Sequence, residues 1–181
     1  SMAESIDPSL LAELLRQGLH QGQKPQLEVT SNSMAPLLRR GDTVILEAAA
    51  PEQLSRGDVI TLASSTAVMT HRFWGLQTTA SSLQLLTRGD RPLSFDQPWP
   101  PEALIGRMAE RSRGTRNLSV SEGIGRWLNC HLCWLAGKEF EWWGNRANGA
   151  TLIRHRWLRR GLRGAIYAWA TILTGILGRM A

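Results

Sequence analysis

Short apolar segments separated by turn residues place the strongest constraint on this chain of 181 residues. Runs rich in Val, Ile, Leu and Thr alternate with Gly-Asp and Pro-rich breaks, a pattern typical of strands joined by short connections. We therefore expect a mainly β domain over residues 26–110, which is large enough for a single core. The predicted strands cover residues 27–30, 43–47, 59–62, 68–76, 82–87 and 104–108.

Three Arg-Gly-Asp triplets, which start at Arg40, Arg56 and Arg88, separate these segments. Such a triplet can serve as an integrin ligand. Each copy, however, stands directly at a predicted strand boundary, where Gly-Asp is a favourable turn sequence. We interpret all three triplets as turns.

Helical patterns flank the β region. Asp7 followed by Pro8 is typical of a helix start, and leucines then recur at helical spacing, which predicts an amphipathic helix over 8–20 within an N-terminal unit, residues 1–25. Packing on the β domain is the simplest role for this helix, and contact with a membrane or a partner is the alternative.

Residues 111–118 are basic and polar and predict a linker to a C-terminal unit, residues 111–181. Two helical patterns follow, over 123–141 and 152–177, with a break at 145–149. The spacing groups Trp127 with Leu128, Leu132, Leu135 and Trp142 on one side of the first helix. On the second helix, the residues that follow helical spacing are Leu158, Leu162, Ile166, Trp169, Leu173 and Ile176. The fold class expected for the whole chain is therefore α+β.

Charge divides the chain unevenly. Residues 111–181 hold 12 Lys and Arg against 3 Asp and Glu, whereas residues 1–110 hold 9 against 12. The C-terminal unit also holds six of the eight tryptophans. Three roles suit a basic, Trp-rich helical tail: packing on itself or on a second copy, contact with a membrane surface through residues 154–180 (Arg154 to Met180), or nucleic-acid binding.

Two cysteines, Cys130 and Cys133, are too few for a disulfide framework, and the N-terminus lacks a secretory signal pattern. We therefore expect a reducing, cytoplasmic setting, with the inner face of the membrane as a site of peripheral contact. As zinc ligands the two cysteines need partners, for which His155 is the distant candidate. Structural cysteines are the favoured interpretation, and no metal or cofactor is expected.

Three separated pieces carry residues suited to acid–base chemistry. Residues 30–42 form a serine-bearing connection between two predicted strands, a place where a nucleophile can be held exposed. His71 lies inside a strand pattern and could act as a general base or have a purely structural role. Asp90 and Asp96 flank the turn after the next strand, and either carboxylate could orient the imidazole.

The three pieces belong to an ordered set of motifs: Ser31-x-Ser33-Met34-x-Pro36, Arg40-Gly41-Asp42, Leu54-x-x-Gly57-Asp58-Val59-Ile60, His71-Arg72, Thr87-x-Gly89-Asp90 with Asp96 six residues further on, and Ile105-Gly106-Arg107. In this order, the motifs resemble the signal peptidase family in its ER/archaeal type and, more distantly, the LexA-like serine peptidases. Asn32 stands where the family usually has glycine.

The resemblance implies a signal-peptidase-like β-fold with Ser33 as nucleophile, His71 as general base and Asp96 as the acid that orients the base. It also implies that the Ser31 hydroxyl and the Ser33 backbone N–H form an oxyanion hole. The supporting residues that it implies are Asp90, Met34 and Pro36. The implied substrate is a peptide or preprotein whose leader or signal segment is cleaved after small residues.

The related Ser-Lys enzymes need a lysine base, but the two lysines of this chain, Lys24 and Lys138, lie outside the β region that follows Ser33. The Ser-His interpretation is therefore favoured. The alternative is a catalytically inactive module on the same fold that binds peptides or membranes.

Overall fold

The computed structural model describes residues 6–79, 82–143 and 155–180. Within these ranges the chain forms an α+β fold of three α-helices and a mainly antiparallel seven-stranded sheet. The elements are α1 (Pro8–His20), β1 (Gln26–Glu28), β2 (Thr43–Glu47), β3 (Val59–Ala63), β4 (Val68–Thr78), β5 (Leu83–Arg88), β6 (Leu104–Arg113), β7 (Arg116–Ser119), α2 (Gly123–Trp143) and α3 (His155–Met180).

Strand β6 is the centre of the sheet. The neighbours run in the order β1-β2-β6-β3-β4-β5, and β7 also pairs with β6. Arg107 of β6 faces Glu47 of β2 and Ile60 of β3, so those two strands lie on opposite edges of β6. The second half of β6 pairs with β7 on the edge that β3 leaves free.

The alternating segments predicted the six strands β1 to β6, and only their ends differ. The linker predicted over 111–118 is wrong, because β6 continues to Arg113 and β7 follows after a short turn. In sequence, the polar side chains at these positions look like those of a linker. In the structure, β7 is held by backbone pairing with β6, the central strand. The sheet therefore extends to Ser119, past the predicted boundary at 110.

Helix α1 has the predicted start. Pro8 occupies the first turn, and the Asp7 carboxylate accepts a 2.8 Å hydrogen bond from the Ser9 backbone N–H. Ala12, Leu15 and Leu19 are buried on the side that faces the sheet. Helix α1 thus packs on the β region, which is the simplest role that its amphipathic pattern predicts.

The first two Arg-Gly-Asp triplets are turns, as expected. Gly41 and Gly57 have φ angles of 87° and 102°, in the left-handed region that favours glycine. In both turns the aspartate side chain accepts a bond from a backbone N–H three residues earlier: Asp42 from Arg39 at 2.8 Å and Asp58 from Ser55 at 2.9 Å.

One hydrophobic core joins elements from the whole chain. Leu15 of α1, Met34 and Leu38 of the β1–β2 loop, and Leu128 and Leu132 of α2 belong to the same buried cluster. The C-terminal unit predicted over 111–181 therefore shares the core of the β region through α2. The predicted break at 145–149 lies outside the described residues.

Only part of the predicted helix-face assignment in the tail is correct. Leu128 and Leu132 are buried, but Trp127 points to solvent on the same helix and is 54% exposed. Helical spacing groups residues by angle, but it does not determine which angle faces the core. Among the described residues, no helix combines the length and the apolar character needed to cross a bilayer.

We predict that Leu38→Ala lowers the free energy of unfolding by about 2–5 kcal/mol, because the fully buried side chain leaves a cavity in the shared core. Urea denaturation followed by circular dichroism measures the loss. Leu14→Ala, at a position 51% exposed on α1, is the matched control and should change stability by less than about 0.5 kcal/mol. Equal losses in the two variants would contradict the prediction.

Candidate active site

Ser33 lies in the β1–β2 loop, and two backbone hydrogen bonds join the two ends of this loop. The N–H of Val29 donates to the carbonyl of Asp42, and the N–H of Gly41 donates to the carbonyl of Val29, both at 2.8 Å. Behind Ser33 the chain turns inward, and Met34 is almost completely buried. The loop is thus fixed both at its ends and by the burial of Met34. Ser33 itself is half-buried at the surface of the loop.

His71 faces Ser33 from strand β4. Backbone pairing of His71 with Ile60 on β3 fixes its position along the strand, and its side chain is largely buried. The imidazole Nε2 lies 2.9 Å from the Ser33 hydroxyl oxygen. This is hydrogen-bond distance, so the imidazole can accept the hydroxyl proton without movement of the backbone.

Asp96 lies on the other side of the imidazole. Its Oδ2 is 2.7 Å from the His71 Nδ1 and also accepts a 2.7 Å hydrogen bond from the Thr87 hydroxyl. The backbone N–H of Asp96 donates to the carbonyl of Thr87 at 2.9 Å, which holds the loop after β5 against that strand. The three side chains predicted as a catalytic unit are therefore in one continuous chain of hydrogen bonds.

Asp90, the second acid considered, has a different partner. Both of its carboxylate oxygens accept 2.6 Å hydrogen bonds from the guanidinium of Arg72. His71 and Arg72 are neighbours in β4, and successive strand side chains point to opposite faces of the sheet. The geometry therefore does not support Asp90 as the acid that orients the imidazole. It fits the supporting role implied for Asp90 instead.

Arg72 is fully buried and also donates to the Gly57 carbonyl at 2.8 Å and to the Asn129 side chain of α2 at 2.7 Å. Burial acts to lower the pKa of Arg72, but the Asp90 carboxylate outweighs it and raises that pKa above its ordinary value. Arg72 thus stays charged and links β4, the loop after β5 and α2. Thr87 stands in one of the sequence motifs but is given no role there, and no local pattern marks Asn129.

Ser31 lies beside the candidate nucleophile. Its hydroxyl oxygen is 3.1 Å from the Ser33 hydroxyl and 3.5 Å from the Ser33 backbone nitrogen. The two groups predicted to form the oxyanion hole are therefore adjacent. Asn32 between them directs its side-chain oxygen away, where it accepts a 3.0 Å bond from the Arg40 backbone N–H.

The backbone of Ser33 is bound to the loop after β5. The Ser33 carbonyl accepts a 3.0 Å hydrogen bond from the N–H of Arg91. A Cβ added to Gly89 would lie 2.9 Å from the same carbonyl oxygen, so glycine is needed at this position. Pro36, a predicted supporting residue, is buried beside Met34 in the same loop.

A groove of about 440 Å³ opens beside Ser33 and His71. One wall is β1 with the residues after it, the other is the first part of β4, and α1 closes one end. In β4 the residues before Arg72 pair with β3 but have no partner in β5. Main-chain groups that pair with no other described strand on this edge therefore border an apolar groove next to the candidate nucleophile. The apolar lining includes Leu27, Val29, Met34, Leu38 and Val68.

The two lysines have partners away from the site. Lys24 Nζ lies 3.9 Å from the Glu110 carboxylate, and Lys138 Nζ lies 2.7 Å from Glu141 on the same helix. The geometry supports histidine rather than lysine as the group next to Ser33.

Cys130 is exposed on α2, and Cys133 is partly buried against Gly57. Burial raises the pKa of the Cys133 thiol. No group of three His, Cys, Asp or Glu within the described ranges could hold a metal ion. The side chain of His155, the candidate third ligand, lies outside the described part of the chain.

A scan against protein-family models finds no match to this sequence, and a search of curated proteins finds no significant match.

The geometry predicts different roles for the two acids in stability. Asp90→Asn should lower the free energy of unfolding by about 3–5 kcal/mol, because it leaves the buried charge of Arg72 without its carboxylate. Asp96→Asn should cost about 1–2 kcal/mol, since its side chain is 18% exposed and its partners are an imidazole and a hydroxyl rather than a buried guanidinium. Thermal and urea unfolding of both variants measure the difference, and a larger loss for Asp96→Asn would contradict this assignment.

We also predict that iodoacetamide at pH 8 alkylates Cys130 before Cys133. Thiolate is the reactive form, and the raised pKa of Cys133 reduces its thiolate fraction in the folded protein. Peptide mass mapping over a time course measures both rates. Denatured protein is the control and should show similar rates at the two cysteines; faster labelling of Cys133 in the folded chain would contradict the prediction.

Proposed function

We propose that this chain is a serine hydrolase in which Ser33, His71 and Asp96 act as a catalytic triad. The observation that carries the proposal is the pair of contacts at the two ring nitrogens of His71: 2.9 Å to the Ser33 hydroxyl and 2.7 Å to the Asp96 carboxylate. A buried carboxylate–imidazole–hydroxyl chain is the arrangement by which unrelated serine hydrolases activate their nucleophile.

Within that class we propose a signal-peptidase-like endopeptidase on a signal-peptidase-like fold. Its support is the ordered set of motifs together with the groove beside Ser33. An extended peptide could pair with the unpartnered main chain at the start of β4 while its side chains enter the apolar groove. The substrate is a leader or signal segment, and the resemblance implies cleavage after small residues.

The mechanism follows from the positions of the groups. His71 accepts the Ser33 proton as the Ser33 oxygen attacks the peptide carbonyl, and Asp96 stabilises the resulting imidazolium. The Ser33 N–H, which in the free protein donates to the Ser31 hydroxyl at 3.5 Å, and the Ser31 hydroxyl itself then donate to the oxyanion of the tetrahedral intermediate. His71 then protonates the departing amine, and water activated by the same imidazole hydrolyses the acyl-enzyme.

Thr87 has a positioning role in this mechanism. Its hydroxyl donates to the same Asp96 oxygen that contacts His71, and Thr87 itself is fully buried in β5. The carboxylate is thus held on two sides, which restricts its rotation and that of the imidazole. Pre-organisation of this kind is required for efficient proton transfer, because small displacements of catalytic groups cost large factors in rate.

We predict that Ser33→Ala and His71→Ala each reduce kcat for hydrolysis of a peptide with small residues before the scissile bond by a factor on the order of 10⁴ or more. Asp96→Asn should lose about 10⁴, because the imidazole loses the partner that fixes its tautomer. A fluorogenic peptide library assayed with purified full chain measures the rates, and a fluorophosphonate probe reports whether Ser33 is nucleophilic.

Ser94→Ala and His20→Ala are the matched controls, since both residues are exposed and neither belongs to the triad. They should retain activity within about twofold. The wild-type chain could instead bind peptides without cleaving them, and Ser33→Ala and His71→Ala could leave that binding unchanged. Such a result would overturn the peptidase assignment in favour of an inactive peptide-binding module.

A further inference from the structure

Helix α3 exposes apolar side chains where a helix of a globular protein normally exposes polar ones. At 100° per residue, Leu158, Leu162, Trp169, Ile172 and Ile176 fall within an arc of about 80°. Each of these side chains is between 48% and 71% exposed. The core-facing side of the helix is instead made by Ala170 and Thr174, which are buried. The apolar stripe therefore faces away from the core of its own protein.

Helix α2 extends this stripe with aromatic rings. The rings of Trp127 and His131 stack with a centroid separation of 5.1 Å, and those of His131 and Trp134 stack at 5.8 Å. Across the helix pair, Trp169 Nε1 donates to His131 Nε2 at 3.4 Å, which joins the two helices into one surface. We call this the tail surface; its exposed apolar members are Trp127, Trp134, Leu158, Leu162, Trp169, Ile172 and Ile176.

The charge around the tail surface indicates what could cover it. Helices α2 and α3, which form this surface, together hold 7 Lys and Arg but 2 Asp and Glu. One of those acids, Glu139, is buried and pairs with Arg163, and Glu141 pairs with Lys138. Two copies of so basic a surface would repel each other, whereas an anionic surface would attract it.

The chemistry of the exposed side chains is that of a bilayer interface. Tryptophan is enriched at the headgroup level of membranes, and leucine and isoleucine insert just below it. Arg179, which is exposed, lies about 60° from the centre of the apolar stripe on α3, where its guanidinium can contact lipid phosphates. Four of the seven members of the tail surface are leucine or isoleucine, which suit the acyl region of a bilayer, whereas stacking on bases calls for aromatic rings.

We propose that the tail surface binds the face of an anionic lipid bilayer, with α2 and α3 lying in the plane of the interface. Because α3 packs on the core through Ala170 and Thr174, the helix can present its apolar stripe to lipid without leaving the protein. This inference is independent of the proposed peptidase activity, since it uses no residue of the triad or the groove.

The test uses purified full chain and extruded vesicles of either phosphatidylcholine alone or an equal mixture with phosphatidylglycerol. Co-sedimentation should show binding to the anionic vesicles, at least about tenfold weaker binding to the neutral ones, and weakening as NaCl rises from 0.1 to 0.5 M. Tryptophan emission should shift to shorter wavelength on binding, because exposed indoles enter the apolar region.

The double variant Ile172→Glu/Ile176→Glu should bind anionic vesicles at least about tenfold more weakly than wild type. Leu10→Glu/Leu14→Glu is the matched control: it adds the same charge at two exposed positions four residues apart on α1, outside the tail surface. The control should bind within about threefold of wild type. Thermal unfolding and circular dichroism check that both variants keep the fold.

Several results would overturn the inference. Equal loss of vesicle binding in the two double variants would mean that net charge alone, not the tail surface, determines binding. A wild-type dimer in light scattering that Ile172→Glu/Ile176→Glu dissociates would make the tail surface an interface between copies. Binding of single-stranded RNA without binding of anionic vesicles would assign the tail to nucleic acid. Each outcome is independent of whether Ser33→Ala loses peptidase activity.

Discussion

The buried guanidinium of Arg72 is the interaction on which the arrangement of the candidate site depends. Asp90 binds it through two oxygens, and Gly57 and Asn129 take the remaining contacts. A charge with no solvent exposure is costly unless it is paired and hydrogen-bonded, so these four contacts stabilise Arg72 and hold the groups that bind it in place. Because Arg72 follows His71 in β4, the same contacts hold the strand that carries the imidazole.

A second buried arginine strengthens the connection between the tail and the site. Arg88 lies opposite Arg72 in the β4–β5 pair, and its guanidinium stacks between Trp74 and Phe140 at 4.6 and 4.9 Å from the ring centroids. It donates to the carbonyl of Ala136 in α2 at 2.8 Å. Burial lowers the pKa of Arg88, since the aromatic rings do not replace the water it loses. Helix α2 is thus attached to the face of the sheet opposite the triad, and its other face is left for the aromatic part of the tail surface.

The elements that could be predicted are those with a local cause. An aspartate cap and a proline start α1, alternating apolar residues form β1 to β6, and the glycines at 41 and 57 allow left-handed turns. The linker expected over 111–118 failed because β7 is polar on its outer side and is stabilised by pairing with β6 rather than by its own pattern. Trp127 is exposed although the pattern groups it with Leu128 and Leu132, which are buried, because periodicity does not determine which residues of a group face the core.

The sequence by itself determined the secondary structure of the β region, the turn chemistry and, through the order of its motifs, the three residue types needed for a triad. Only the tertiary structure decided that Asp96 contacts the imidazole whereas Asp90 binds Arg72, that Thr87 holds Asp96, and that α2 meets the site through Asn129. The reason is that caps, turns and strand alternation depend on neighbours a few residues apart. The partner of a buried polar group depends on how distant strands and helices pack, and no local pattern contains that information.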